Sequence, residues 1–218
     1  RTGSRRTAAL AGVAVGLAFF ARPYSAVLFA APVITHALWS LREPRRAVIE
    51  RVGLTALFGL AGVAATLAYN AVVTGDPLVF PYQAFAPLDG LGFGRREILG
   101  YSRDFTPALS LRANVEVLWV YATEWVVAGP LGVALALGGL WTVRQRGFDA
   151  RQLAIAGVAL TVPLGNLYFW GTVNILGELA DPTDGLIRFL GPYYHTDLLV
   201  PTVAFGAVGL LAAVEWGR

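Results

Sequence analysis

Long stretches without a single charged side chain constrain this chain more than any other feature. Residues 52–75 carry none, and neither do residues 153–177. A mainly apolar, uncharged run of about 18 or more residues is long enough, as a helix, to cross the hydrocarbon core of a bilayer. The whole chain is 56% hydrophobic and 14% charged, whereas a soluble domain carries roughly a quarter charged residues. The expected fold is all-α: a polytopic transmembrane helix bundle with an interfacial amphipathic helix and extracytoplasmic loops. The expected location is the cell membrane, as a multi-pass integral protein.

Residue usage narrows the chemistry. With no Cys and two His, the chain has no disulfide framework and no thiolate ligand, and an all-protein zinc site is not expected. No cofactor is implied, and a divalent metal ion is left open. Every basic residue is Arg. These residues fall in short loops between apolar runs, where membrane orientation explains them better than nucleic acid does. The chain has no Met and no signal peptide with a cleavage site. We therefore read 1–218 as a single transmembrane domain, expected to be a fragment that lacks an N-terminal catalytic portion.

Pro23 interrupts the first apolar run, because proline restricts the residue before it and ends or kinks a helix. Two segments result, 7–21 and 24–41. Later apolar segments are 52–73, a stretch ending near 143, 153–170 and 198–214. The set gives about six crossings or half-crossings. The basic groups Arg5-Arg6, Arg42 to Arg51 and Arg144 to Arg151 are expected on the cytoplasmic side. The Arg22-Pro23 turn and residues 74–107 then lie outside. The stretch after 107 must return inward once. In 111–127, Leu111, Val115, Leu118, Trp119, Ala122, Trp125 and Val126 share one helical face. Arg112, Asn114, Glu116, Thr123 and Glu124 lie largely elsewhere. Thr106 before Pro107 is an N-cap pattern. An amphipathic helix at the outer interface, bending at Pro130 into the returning span, fits both the pattern and the parity.

Two outer segments hold the polar residues that topology does not require. Residues 74–107 contain Asp76, Asp89, Arg95, Arg96, Arg103 and Asp104; residues 177–197 contain Asp181, Asp184, Arg188, Tyr193, Tyr194, His195 and Asp197. Arg on the outer side runs against the positive-inside bias, and a guanidinium fork suits a phosphate. Each residue also has a plainer reading. Arg22 can snorkel to headgroups, and Arg95-Arg96 can be a solvated loop. The Asp181–Gly185 stretch reads as a turn, Tyr193-Tyr194 as an aromatic-belt anchor, and His195 as a local hydrogen-bonding residue. Asn70 is expected to bond a neighbouring helix, and Asp149 with Gln152 to cap one.

Three passages carry a family resemblance: GLAFFARP at 16–23, NAVVTGDPLVFPY at 70–82 and GPYYHTDLL at 191–199. In order, they resemble passages of GT-C superfamily glycosyltransferases, in the protein-mannosyltransferase and aminoarabinose-transferase branch that uses polyprenyl-phosphate sugars. The resemblance extends over most of the chain. It implies sugar transfer with inversion from a polyprenyl-phosphate donor to a glycan, lipid or protein acceptor on the extracytoplasmic side. The candidates for holding the lipid phosphate are then Arg22, Arg95, Arg96 and Arg188. Those lining the substrate would be Asn70, Asp76, Tyr82, Tyr193, Tyr194, His195 and Asp197. Tyr193 stands where the family pattern has Arg. The family's catalytic carboxylate belongs to an earlier loop, ahead of Arg22, so no catalytic residue is assigned in this chain. Membrane transport and a non-catalytic assembly role are the competing readings.

Overall fold

A computed structural model of the chain describes residues 4–42, 45–98, 101–176 and 192–217. Among these the fold is predominantly helical, with eight α-helices and one two-stranded sheet. Arg46–Thr74 and Tyr193–Trp216 are long and apolar enough to cross a membrane; the bent pair Pro107–Trp125 and Pro130–Arg146 adds a third if it forms one span. The chain divides into two compact units, Arg1–Pro87 and Leu88–Arg218.

The first unit contains α1 (Arg5–Ala21), α2 (Pro23–Ser40), α3 (Arg46–Thr74) and the short α4 (Pro81–Phe85). The Ser4 side chain accepts from the Thr7 amide and starts α1. Arg22 ends it, with φ −151° and ψ 81°, and Pro23 opens α2 at the position where a missing N–H does least harm. The expected break between 21 and 24 is thus present. Helices α1 and α3 run parallel. Arg5 pairs with Glu50 at one end, the Thr55 hydroxyl donates to the Ala8 carbonyl at 3.0 Å, and the Phe20 and Tyr69 rings meet at the other end with centroids 5.6 Å apart. Between these contacts the backbones touch. A Cβ on Gly62 would fall on the backbone of Gly16, and one on Gly12 would meet the Thr55 carbonyl. Small residues let apolar helices approach closely enough for dispersion to hold them where lipid removes the hydrophobic drive.

The second unit opens with a hairpin of β1 (Gly94–Ile98) and β2 (Tyr101–Phe105), which the all-α expectation did not include. Its register pairs Arg95 with Asp104, Arg96 with Arg103 and Glu97 with Ser102. Alternation assigns Arg95, Glu97, Ser102 and Asp104 to one face and Ile98 and Phe105 to the other. Phe105 is buried with Ala113, Trp170 and Val173, and Ile98 and Leu109 pack on that cluster.

Helix α5 (Pro107–Val120) begins at Thr106, whose hydroxyl accepts from the Leu109 amide. It continues through a π-helical turn, Tyr121–Trp125, and meets α6 (Pro130–Arg146) at a bend of 103°. The bend lies at Ala128 and Gly129, both with positive φ. Ser110, Ala113, Asn114, Val117 and Tyr121 face the protein, while Leu111, Val115 and Trp119 are exposed. An apolar stripe turned outward is the arrangement a lipid-facing surface helix needs. Helix α7 (Ala150–Asn166) starts with the reciprocal Asp149–Gln152 capping pair. It ends before the expected limit at 170, because Pro163 weakens its last turn and Trp170–Leu176 coils into a 3-10 helix. A second 3-10 turn, Tyr193–Leu198, leads into α8 (Leu199–Trp216). Helices α6 and α8 are also parallel and in backbone contact: a Cβ on Gly139 would strike the Phe205 carbonyl, and one on Gly209 the Leu135 carbonyl. Further along, Arg146 lies 3.9 Å from Glu215.

Candidate functional site

The polar residues of the second unit gather at the end where α5 and α8 begin and α7 finishes. Asn114 is the centre. Its Nδ2 donates to the Ser110 carbonyl at 3.0 Å and to the Asn166 carbonyl at 3.3 Å. Its Oδ1 is therefore left to accept, and His195 Nε2 lies 3.0 Å away. That pairing puts the imidazole proton on Nε2. His195 is fully buried, and Nδ1 has no hydrogen-bond partner among the described residues. The Ser110 hydroxyl donates to the Leu167 carbonyl at 2.6 Å, and Asn166 Nδ2 donates to the Tyr194 carbonyl at 3.0 Å. A buried amide without partners costs about 1–3 kcal/mol; here both amides are satisfied, and each ties two segments together.

A second knot lies on the other side of residues 166–171. Arg96 sends Nε to the Gly92 carbonyl at 2.9 Å and one Nη to the carbonyls of Leu91 and Phe93, at 2.6 and 3.1 Å. The Gly92 amide donates to the Tyr168 carbonyl at 2.9 Å. Gly92 has φ +94°, and a Cβ there would meet the Tyr168 phenol at 2.7 Å, so glycine is required twice over. Trp170 Nε1 donates to Asp89 at 2.6 Å, and the Phe169 ring stands edge-on to Tyr194 at 4.6 Å. Residues 166–171 thus support both the 88–98 loop and the Tyr194-His195 turn. Sequence reading passed over this segment and over Ser110 and Asn114. The signals were there: an amide on the face of α5 opposite its apolar stripe, and the cluster NLYFW at 166–170.

The expected site residues fall into two groups, one per unit. In the first unit the Phe20–Tyr69 contact brings the Arg22 break to the same end as Asn70. Asn70 does not reach a neighbouring helix; its Nδ2 donates to Pro77 at 3.1 Å and closes the turn that follows its own helix. Thr74 Oγ1 lies 2.8–3.1 Å from the carbonyls of Asn70, Asp76 and Val79 and donates its single proton among them. Asp76 Oδ1 accepts from the Leu78 amide. Gly75, at φ 82°, makes the left-handed cap. Tyr82 is half-exposed and stacks beside Phe80. In the second unit, Arg95 is exposed and lies 3.5 Å from Glu97, with Asp104 across the ladder. Tyr193 is exposed beside Tyr194, while Asp197 is half-buried in the same turn. Arg188, Asp181 and Asp184 lie outside the described residues. Among the described residues, no three His, Asp or Glu side chains converge on a point where a metal ion would fit.

Comparison with protein-family models, curated proteins and solved structures finds no match.

Proposed function

We propose that this chain is the membrane-embedded part of a GT-C-type glycosyltransferase, a polytopic helix bundle of the cell membrane. In this reading it presents a polyprenyl-phosphate sugar to an acceptor glycan, lipid or protein on the extracytoplasmic side. The observation that carries the reading is the meeting of two polar segments on residues 166–171. The Arg95-Arg96 hairpin and the Tyr193–Leu198 turn share that support, at the end of α8 away from Arg146 and Glu215. A polar end of this kind suits a donor whose prenyl tail stays in lipid and whose phosphate sits at headgroup level.

The chemistry follows from the charges. A carboxylate outside this chain would take the proton of the acceptor hydroxyl, and the oxygen would attack the anomeric carbon with inversion. The lipid phosphate leaves with growing negative charge, which fixed cations stabilise. Arg22 and Arg95 are each assigned that task in this reading; Arg96 already serves three carbonyls of its own loop. In the full-length protein, reconstituted with a polyprenyl-phosphate sugar, Arg22→Ala and Arg95→Ala should each slow transfer more than about tenfold. Unchanged rates in both variants would overturn the phosphate role.

One feature favours transport as a second reading. Each unit packs two of its long helices in parallel across glycines, α1 with α3 and α6 with α8. The basic residues lie at the start of α1 and α3 in one unit and at the end of α6 in the other. Inverted repeats of transporters have this reversal. Solute uptake by proteoliposomes without sugar transfer would select it.

A further inference from the structure

Two tryptophan–arginine pairs occupy matching places, one in each unit. At the end of α2 the Arg42 guanidinium lies 3.9 Å over the Trp39 ring; near the end of α6 the Arg144 guanidinium lies 5.7 Å from the Trp141 ring. The i, i+3 spacing stacks the pairs one turn apart on the helix surface. Both indoles are largely exposed, at 63% and 59%. Neighbouring acidic groups are engaged elsewhere: Glu50 holds Arg5 and Arg46, Glu215 lies near Arg146, and Asp149 caps α7. Among the described residues neither Arg42 nor Arg144 has a carboxylate partner. Each stack also continues an exposed apolar face, through Ile34 and Leu38 on α2 and through Leu137 on α6.

We propose that Trp39–Arg42 and Trp141–Arg144 are clamps for the headgroups of anionic phospholipids. Indole settles at the level of the lipid glycerol, where its apolar body and N–H are both accommodated. A guanidinium lying on the ring face keeps its N–H edges free, and a phosphodiester takes two of them. The acyl chains then run down the apolar face below. Charge selects the lipid: Arg45, Arg46 and Arg51 follow the first clamp closely in sequence, and Arg146 and Arg151 the second. The inference needs only that these helices sit in a bilayer. It does not rest on sugar transfer.

Quenching by brominated lipid reads the clamp directly. The intact chain is placed in phosphatidylcholine bilayers containing a minor fraction of brominated phosphatidylglycerol or, separately, brominated phosphatidylcholine. The Trp39 signal is the difference between the wild-type chain and Trp39→Phe. Around Trp39 the anionic lipid should be enriched about fivefold, since one Arg near an anionic surface contributes roughly 1 kcal/mol. Arg42→Gln should remove most of that preference, and Arg45→Gln, which lowers net charge equally, should leave most of it. Equal quenching by the two lipids in the wild-type chain overturns the clamp. So does an Arg45→Gln loss as large as that of Arg42→Gln, which would mean diffuse charge attraction. Both residues are exposed, and the stack on Trp39 is the contact that Arg42→Gln removes.

Discussion

His195 Nε2 and Asn114 Oδ1 are 3.0 Å apart across 81 residues of sequence, and both side chains are buried. This one bond joins the turn that launches α8 to the middle of α5. The same amide also reaches the end of α7, so three helices share a single side chain.

Asn114→Ala should therefore leave a buried imidazole N–H unpaired and destabilise the second unit by about 1–3 kcal/mol. His195→Leu should cost a comparable amount. If the two residues act as a unit, the double variant should be less destabilised than the sum, with a coupling of about 0.5–3 kcal/mol. Thermal unfolding in detergent measures all three; strictly additive losses would falsify the pairing.

Adjacent glycines should behave differently. A methyl group on Gly139 meets the Phe205 carbonyl, whereas one on Gly138 meets nothing within 4 Å. Gly139→Ala should therefore push α6 and α8 apart, at about 1–3 kcal/mol for an overpacked contact, and Gly138→Ala should be neutral. Gly62→Ala and Gly53→Ala repeat the contrast for α1 and α3, since Gly53 also has open space. Equal effects within either pair contradict these helix contacts.

Arg96→Lys keeps the charge but loses the planar fork that serves Leu91, Gly92 and Phe93. Amide hydrogen exchange across residues 88–98 should quicken by roughly tenfold or more, as expected for the loss of about 1.5 kcal/mol of local hydrogen bonding. Exchange in α8 should not change. Protection spread evenly over the unit would show that the loop is held by something other than this guanidinium.

The absence of Cys makes the orientation directly measurable. A membrane-impermeant maleimide should label Ser102→Cys from the extracytoplasmic side and Gln145→Cys only after the cytoplasmic side is opened. Labelling of both from one side would place the hairpin and the Arg144–Arg146 end together, contrary to the charge distribution.

The helix starts at Pro23, Thr106 and Asp149 were readable because their determinants are groups adjacent in sequence. The outward stripe of α5 was legible from its period. The β-hairpin was not, because its strands are held by Phe105 and Ile98 packing on Trp170 and Ala113, far along the chain. Asn70 looked like an interhelical residue and turned out to close its own turn, since Thr74, Gly75 and Asp76 bring the Pro77 carbonyl within reach. The polar network was the least legible part. Asn114, Asn166 and His195 carry no shared motif, and only the fold makes them neighbours.

The parallel seam between α1 and α3 has a consequence for synthesis. Partners such as Arg5 with Glu50 and Ala8 with Thr55 are separated by 45 to 47 residues. At roughly 5–20 residues per second, a ribosome takes a few seconds to deliver the second strip after the first. Throughout that interval the glycine stripe of α1 is without its α3 partner. Any other newly made helix with a similar stripe competes for it, so a delay between α1 and α3 is the moment when this protein is most open to pairing with the wrong neighbour.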